Sequence, residues 1–310
     1  MKNKTPIILG GVFLLLVIIF IVTSINPREK SKGATPLFKD EKPSIDKLEF
    51  TSKTNGQIVL EKQNSIWYIT APLRYKASEI SVDQTIMTLQ NMVVDGSISS
   101  RVEAQDQYEV SEEKGTVFKA YSGDKLILDA VVGKYSTDLA HTYARLSGSN
   151  DILLWRGVFS QHVTRTVNDW RDKSIYTFNT DDVISVKAVS GKNTRELALA
   201  DTVWVFKENG KEQTVDTEKV KETITLISTL RCDDFADEKD IPRAAGKTPD
   251  TKVSFTIRNG DTHSFDVWTP EDDDAGRYLV RIENGEEIFR FYRYRGELLE
   301  INYDKLKPDA

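Results

Sequence analysis

The stretches SIWYIT at residues 65–70 and TVWVFK at residues 202–207 decide the fold predicted for this chain. They place Trp67 and Trp204 at matching positions, 137 residues apart. Further matched positions share this offset: Phe118 with Phe255, and Gly123-Asp124 with Gly260-Asp261. Repetition over such a length is typical of duplicated domains rather than of a solenoid of short units.

Both copies show the pattern of short strands followed by one helix. The strands alternate apolar and polar residues, as half-buried strands do: LEFTS, QIVLEK and WYIT, then VISVKAV, ELALA and VWVFK. The helices carry apolar residues at helical spacing: Val82, Ile86, Leu89 and Val93, then Val220, Ile224, Ile227 and Leu230. Ser78 or Ser81 can cap the first helix, and Asp216-Thr217-Glu218 opens the second.

More strands follow in each copy, and turns of the Gly-Asp and Asn-Gly type separate them. The strands are TVFKAY, KLILDAVVG, TYARL and DILLW, then KVSFTIR, HSFDVW, RYLVRI and EIFRFYRY. The first copy ends in a predicted helix over residues 157–171, whereas the last helix of the second copy is predicted to be short or missing. The predicted class is α+β, with two tandem repeated units that each pack a helix on an antiparallel sheet.

The N-terminus has the pattern of a membrane anchor. Residues 7–25 are almost wholly apolar and uncharged, and about 19 residues of helix span roughly 28 Å, enough for a hydrocarbon core. The alternative is a cleaved signal with a weak site after Ser24, but the run exceeds the usual signal core of roughly 7–15 residues. We predict a transmembrane helix over residues 6–25 of a retained anchor, residues 1–25, that binds the lipid bilayer.

Charge around this segment gives a weaker indication of orientation. Lys2 and Lys4 precede the apolar run, and Arg28, Lys30 and Lys32 follow it, so the positive-inside signal is nearly balanced. A short tail ahead of a long C-terminal domain favours an external domain. We therefore expect a single-pass protein of the inner (cytoplasmic) membrane, with its body in the periplasm or outside the cell.

Residues 26–44, NPREKSKGATPLFKDEKPS, have the composition of a solvated linker. They contain three prolines, one glycine and many charges, with little that could be buried. The predicted organisation is therefore an anchor, a flexible linker, a first unit over residues 45–175 and a second unit over residues 176–310.

Composition excludes several classes of protein. The net charge of −6 and pI of about 5.4 lack the basic surplus of duplex-binding proteins, so we expect no nucleic acid partner. Cys232 is the single cysteine, which excludes an internal disulfide and fits a bacterial envelope protein. Asp233 and Asp234 beside it should raise the thiol pKa and disfavour a reactive thiolate.

The sequence contains no recognisable catalytic or cofactor motif. His141, His162 and His263 are far apart, and none has a ligand partner at metal-site spacing. No phosphate-binding glycine loop and no serine nucleophile elbow is present. We therefore expect a protein that is not an enzyme and that holds no metal or cofactor.

Two acidic clusters and one aromatic, cationic segment remain. The clusters, at residues 233–240 and 271–274, lack calcium-loop spacing and are predicted to be solvated loops. The segment EIFRFYRYR, residues 287–295, is the best candidate for binding a ring, an anionic glycan or a lipid head group. Its candidate binding residues are Arg290, Tyr292, Arg293, Tyr294 and Arg295.

The interpretation that we favour for residues 287–295 is nevertheless an ordinary strand. Phe289 and Phe291 would then face the core while the arginines extend outward. Trp67 and Trp204 are predicted to be core residues, because their equivalent positions in both copies are better explained by packing than by a ligand.

Several motifs together carry a family resemblance. LEK followed by WYITAPLRYKASEISVDQTIMTL, the YARL and ILLW hairpin, and the helix ending VNDWRDKSI resemble the bacterial envelope family of unknown function DUF4340. Two positions depart from it: Tyr108-Glu109-Val110 replaces a Tyr-Gly-Leu step, and Ala77-Ser78 replaces Ala-Asp. The resemblance implies a single-pass accessory to an ABC exporter of the gliding-motility type, and it implies no catalytic residues.

Two functions follow as hypotheses. The first is a membrane-tethered, extracytoplasmic accessory or scaffold protein, a subunit of an ABC-type transport complex. The alternative is an envelope hydrolase or glycan-processing enzyme whose site is built from scattered residues such as Asp169, Arg171 and Asp172. Two converging carboxylates in a cleft would favour the enzyme.

Overall fold

The computed structural model of the chain describes residues 33–39, 41–271 and 277–309. The predicted anchor over residues 1–25 lies outside these ranges, and so do Asp272, Asp273 and Asp274 of the second acidic cluster. Within these ranges, no helix has the length and apolar character needed to cross a bilayer.

The chain divides into two compact units between Arg171 and Asp172. Each unit contains one antiparallel sheet and a few short helices, so the predicted α+β class is confirmed. Both sheets bury one row of apolar side chains under helices, which is why apolar residues alternate along the strands.

The first unit contains ten strands, three α-helices and one short 3-10 helix, Val102–Ala104, in its described residues. The strands are β1 Thr35–Pro36, β2 Lys47–Ser52, β3 Gly56–Gln63, β4 Ile66–Ala71, β5 Tyr75–Lys76, β6 Val93–Ser99, β7 Thr116–Ser122, β8 Lys125–Tyr135, β9 His141–Leu146 and β10 Ile152–Arg156. The helices are α1 Glu79–Gln90, α2 Ser160–Val163 and α3 Val167–Trp170. The strand order is β1-β6-β10-β9-β8-β7-β2-β3-β4-β5.

The second unit contains nine strands, four α-helices and one short 3-10 helix, Thr180–Asp182, in its described residues. The strands are β11 Val183–Ser190, β12 Asn193–Ala200, β13 Val203–Glu208, β14 Lys211–Gln213, β15 Asp234–Phe235, β16 Thr251–Ile257, β17 Thr262–Trp268, β18 Arg277–Ile282 and β19 Phe289–Tyr292. The helices are α4 Thr217–Ser228, α5 Ile241–Ala244, α6 Arg293–Leu299 and α7 Tyr303–Leu306. The strand order is β14-β13-β12-β11-β16-β17-β18-β19-β15.

The two sheets have the same strand order once β1 is set aside. Read from β15, the second sheet follows the first sheet read from β6, strand for strand. The matched tryptophans occupy one ladder position, because Trp67 pairs with Lys62 and Trp204 pairs with Leu199.

The two long helices begin where capping chemistry predicts. The Ser78 side chain accepts a hydrogen bond from the backbone N–H of Ser81 at the start of α1. Asp216 accepts from the N–H groups of Glu218 and Lys219 at the start of α4. Each cap satisfies N–H groups that have no partner inside the helix.

The prediction of one continuous helix over residues 157–171 is wrong. It is two short helices, because the backbone of Thr166 is extended and its side chain forms a capping box with Asp169 that starts α3. The predicted strand over residues 287–295 is also too long. It ends at Tyr292, and α6 and α7 follow where a short or missing helix was predicted.

The matched tryptophans differ in burial. Trp67 is 2% exposed and belongs to the core of the first unit, as predicted. Trp204 is only partly buried, and Phe206 on the same face of β13 is the fully buried residue. The prediction that Trp204 is a core residue is therefore wrong, since this end of β13 lies near the rim of its core.

Each unit has an N-terminal segment, here called its strap, that hydrogen-bonds to the chain at the end of the long helix: residues 35–39 and 41–43 form the strap of the first unit and residues 174–178 that of the second. In the first unit, Leu37 N–H donates to the Met92 carbonyl at 2.8 Å, and β1 pairs with β6. In the second unit, Ile175 N–H donates to the Leu230 carbonyl at 2.7 Å.

The strap corrects the prediction of a flexible linker over residues 26–44 for residues 33–39 and 41–44, and residues 26–32 and 40 lie outside the described residues. Leu37 and Phe38 pack against the core of the first unit, and the Gln90 side chain donates to the Pro43 carbonyl. Two apolar residues in a polar segment are enough to dock it beside an edge strand, whose unpaired backbone groups accept a partner.

Candidate binding surface

The segment 287–295 forms a corner where β19 ends and α6 begins. Phe289 and Phe291 are 4% and 0% exposed and face the core. Tyr292 is the last residue of β19, and Arg293 is the first residue of α6. The alternation of the strand therefore sends Arg290 and Tyr292 to the opposite face of the sheet.

Arg290 is an internal ion-pair partner rather than a free cation. Its Nη2 lies 2.7 Å from Asp237 Oδ2, and its Nε donates to Asp240, which is 4% exposed. Burial alone would raise the pKa of Asp237. Hydrogen bonds from the Lys239 N–H and from Arg290 outweigh burial and lower that pKa.

Arg295 is held in the same way by the first acidic cluster. Its Nη1 donates to Asp233 Oδ1 at 2.6 Å, and its Nη2 donates to the Arg231 carbonyl at 2.6 Å. Asp233 also accepts from the Tyr292 N–H at 2.8 Å. This acidic cluster is therefore not simply a solvated loop, because three of its carboxylates bind the arginines of the corner.

The first unit has a matching pair at the corresponding corner. Arg156 donates to Asp95 through Nη2 at 2.5 Å and through Nε at 2.9 Å. His141 Nε2 lies 3.0 Å from the same carboxylate. The hydrogen bond from Arg156 is the largest cause that lowers the pKa of Asp95.

Three of the predicted residues remain exposed to solvent. Tyr292 and Tyr294 are 45% and 67% exposed, and Arg293 is exposed between them. The two rings are nearly parallel, with an interplanar angle of 12° and centroids 6.2 Å apart. The guanidinium carbon of Arg277 lies 4.0 Å from the centroid of the Tyr292 ring.

These four residues, Arg277, Tyr292, Arg293 and Tyr294, are named the tyrosine corner surface here. Sequence reasoning missed Arg277. The signal was available in the predicted pairing of RYLVRI with EIFRFYRY, since Arg277 is the register partner of Tyr292 on β18. An arginine opposite an exposed tyrosine on one sheet face stacks on its ring.

A polar cleft of about 450 Å³ lies on the second unit. Its lining residues are Lys239, Asp240, Pro242, Arg243, Lys247, Glu271 and Arg290. Three of its four cations are bound by neighbouring groups: Lys247 lies 3.0 Å from Glu271, Arg290 binds Asp240, and Arg243 donates to the Thr269 and Arg277 carbonyls. The cleft is therefore held together by its own polar contacts.

The scattered residues of the hydrolase hypothesis have local structural roles. Asp169 accepts from the N–H and the hydroxyl of Thr166 at 2.8 and 2.7 Å. Arg171 lies over the Tyr75 ring at 4.1 Å, and Asp172 accepts from the Ser174 N–H at 3.0 Å. Each group caps or supports the chain beside it.

Two further titratable groups are withdrawn from solvent, His162 partly and Cys232 fully. His162 Nδ1 lies 2.9 Å from Thr85 Oγ1, and burial together with the nearby Arg165 lowers its pKa to about 4. Cys232 is 2% exposed, and burial raises its thiol pKa to about 12. Over residues 33–39, 41–271 and 277–309, no group of three or more His, Cys, Asp or Glu side chains could hold a metal ion.

Comparison with known proteins gives one match. The family model described as a domain of unknown function, DUF4340, matches residues 67–249, more than half of the chain. Neither the curated proteins nor the solved structures give a match.

Proposed function

Because the chain belongs to the DUF4340 family, we propose that it is a membrane-tethered, extracytoplasmic accessory or scaffold protein that serves an ABC-type transport complex without being an enzyme. In this proposal the apolar run over residues 7–25 is the single membrane-spanning segment. The ATPase of the complex is a different chain, since this sequence has no phosphate-binding loop.

The observation that carries the proposal is the strap of the first unit. Because Leu37 is docked beside Met92, only residues 26–34 separate the apolar run from the folded body. Nine residues span at most about 32 Å even when fully extended, compared with about 68 Å for the nineteen residues of the whole segment 26–44. A body held this close to the bilayer is placed to contact the external loops of a membrane complex.

The polar chemistry of the second unit also supports a binding role. The acidic cluster and the arginines of the corner bind each other, and they leave aromatic side chains as the exposed feature. Exposed tyrosine beside arginine is the composition enriched in protein–protein interfaces. The proposal includes an internal duplication, which the common strand order of the two sheets supports.

The test is a cross-linking purification of the full-length chain from native membranes, with the partners identified by mass. We expect an integral membrane permease and an ATPase to be enriched together with the chain. The matched control replaces residues 1–25 with a cleavable secretory signal, which releases the body and should reduce this enrichment. Recovery of the same proteins with an unrelated single-pass protein, or of none, would contradict the proposal.

A further inference from the structure

We propose that the tyrosine corner surface docks an acidic segment of a protein partner. This inference rests on the proposed function, because it specifies where the scaffold binds and what chemistry its partner presents. The surface comprises Arg277, Tyr292, Arg293 and Tyr294, as defined above.

The corner is fixed in place before any partner arrives. Asp233 binds both the Tyr292 N–H and the Arg295 guanidinium, so it closes the turn from β19 into α6. Arg295 also lies over the Phe291 ring at 5.2 Å, which ties the first turn of α6 to the core. A surface whose backbone is already ordered loses little conformational entropy on binding.

The positive charge of this surface favours an acidic partner. Within the described part of the chain, neither Arg277 nor Arg293 forms an ion pair, whereas Arg290 and Arg295 are both paired with aspartates. The chain as a whole carries a net charge of −6, so this local pair of unmatched guanidinium groups departs from its average character. Carboxylates are the planar partners that guanidinium groups bind best.

The exposed rings indicate a protein partner. Tyrosine rings flanked by arginine supply large contact area with few rotatable bonds and form interface hot spots. Nearly parallel rings 6.2 Å apart provide one continuous apolar face beside the cations. An acidic segment that also carries apolar side chains fits both parts of the surface.

The first unit does not repeat this surface. Its ladder pair at the matching position is Arg156 with His141, and both side chains bind the Asp95 carboxylate. The second unit has Tyr292 with Arg277 at that position, where Tyr292 is exposed, Arg277 is partly buried and no carboxylate of the described residues pairs with Arg277. Since the two sheets share one strand order, the first unit serves as an internal comparison in which the cation at the same place already has an acidic partner.

The test is zero-length cross-linking of the full-length chain in native membranes. A carbodiimide joins an amine to a carboxylate in direct contact by forming an amide with loss of water. The variant Arg293→Lys places an amine on the surface, and Arg101→Lys places one at an exposed position of the first unit. We expect residue 293, and not residue 101, to become linked to an aspartate or glutamate of a second polypeptide, located by peptide mass.

A second measurement tests whether the tyrosine rings of the surface contribute to partner binding. The double variant Tyr292→Ala, Tyr294→Ala should reduce the amount of co-purified partner about tenfold, as for loss of a hot spot. Tyr135→Ala, which changes a tyrosine of similar exposure in the first unit, should leave that amount unchanged. Partners that co-purify equally with both variants would overturn the proposed surface while the proposed function stands.

Three further outcomes of these experiments would also overturn the proposed surface. Links from residue 293 only to the carboxylates of the same chain would show that the surface is internally satisfied and would overturn the proposal. Links to both residues 293 and 101 at equal frequency would show unspecific proximity and would also overturn it. If the wild-type chain captures no partner at all, the proposed function and this inference both fall.

Discussion

Asp233 binds Arg295 at 2.6 Å and closes the corner between the last strand and the following helix of the second unit. Asp95 and Arg156 form the same kind of pair at 2.5 Å in the first unit. In the second unit the aspartate precedes the edge strand β15 and the arginine lies in the first turn of α6, whereas in the first unit the aspartate lies on β6, between β1 and β10, and the arginine ends β10. An aspartate–arginine ion pair therefore ties the chain together at this corner in both units.

The first prediction concerns the ion pair of Asp233 with Arg295. Asp233→Ala leaves the Arg295 guanidinium and the Tyr292 N–H without their acceptor, so it should lower the free energy of unfolding by about 2–3 kcal/mol. Glu238→Ala, in the same acidic cluster but exposed, should change it by no more than about 0.5 kcal/mol. Urea unfolding of both variants measures the difference. Equal effects would show that the pair contributes nothing specific.

The second prediction concerns His162 and pH. Its folded pKa of about 4 lies below the ordinary value of 6.5, so the unfolded chain binds the proton more tightly. The stability contributed by the neutral imidazole is therefore complete above about pH 6.5 and is lost as the pH falls towards 4. The loss should be about 2 kcal/mol after allowance for solvent at this partly exposed ring.

The variant His162→Gln provides the control for this effect. Glutamine keeps a polar side chain near Thr85 but does not titrate, so its unfolding free energy should change less between pH 6.5 and 4. Chemical unfolding at several pH values makes the comparison. Parallel curves for the wild type and the variant would assign the acid sensitivity to other groups.

The third prediction separates the matched tryptophans. Trp67→Ala removes a fully buried side chain and should cost about 3–5 kcal/mol, because it leaves a cavity in the first core. Trp204→Ala removes a partly buried side chain and should cost clearly less. Thermal melts of the two variants provide the measurement. An equal fall in melting temperature would contradict the difference in burial.

The fourth prediction concerns the single thiol. Burial, aided by Asp233 and Asp234, raises the pKa of Cys232 to about 12, so the native thiol is protonated and shielded at pH 8. A thiol-specific reagent should label the native chain at least a hundredfold more slowly than the chain in denaturant. Fast labelling of the native chain would show that this region opens readily.

The sequence predicts the strands and long helices well because their signals are local. Alternation identified the strands, and Ser78 and Asp216 mark the helix starts through their capping side chains. The prediction missed the strap, because two apolar residues in a charged segment produce no periodic pattern. Its partner, the edge strand, is far away in sequence.

The constant offset of 137 residues holds for Trp67 and Trp204 but not for Phe118 and Phe255. Following the ladders, Phe118 corresponds to Val253, two residues earlier. The β7–β8 hairpin has a two-residue loop, whereas the last pair of the β16–β17 hairpin is Thr256 with Thr262. A shift of two residues keeps each side chain on its own face, so the sequence match survives it.

The candidate surface could be predicted only in part. Composition indicated the aromatic, cationic segment, but Arg290 and Arg295 have the same appearance in sequence as Arg293. Only the fold brings the aspartates of residues 233–240 beside the first two arginines and leaves the third exposed. Distinguishing a bound arginine from a free one requires contacts between residues about 50 or more positions apart.

The central claim is that the two units lie outside the cytoplasm on a membrane anchor. The most direct measurement fuses alkaline phosphatase, which is active only outside the cytoplasm, or a cytoplasmic fluorescent reporter after Ala310 of the full-length chain. The account predicts an active phosphatase fusion that stays with membranes after a carbonate wash, together with a dark fluorescent fusion. An inactive phosphatase with a bright fluorescent reporter at the same position would contradict it.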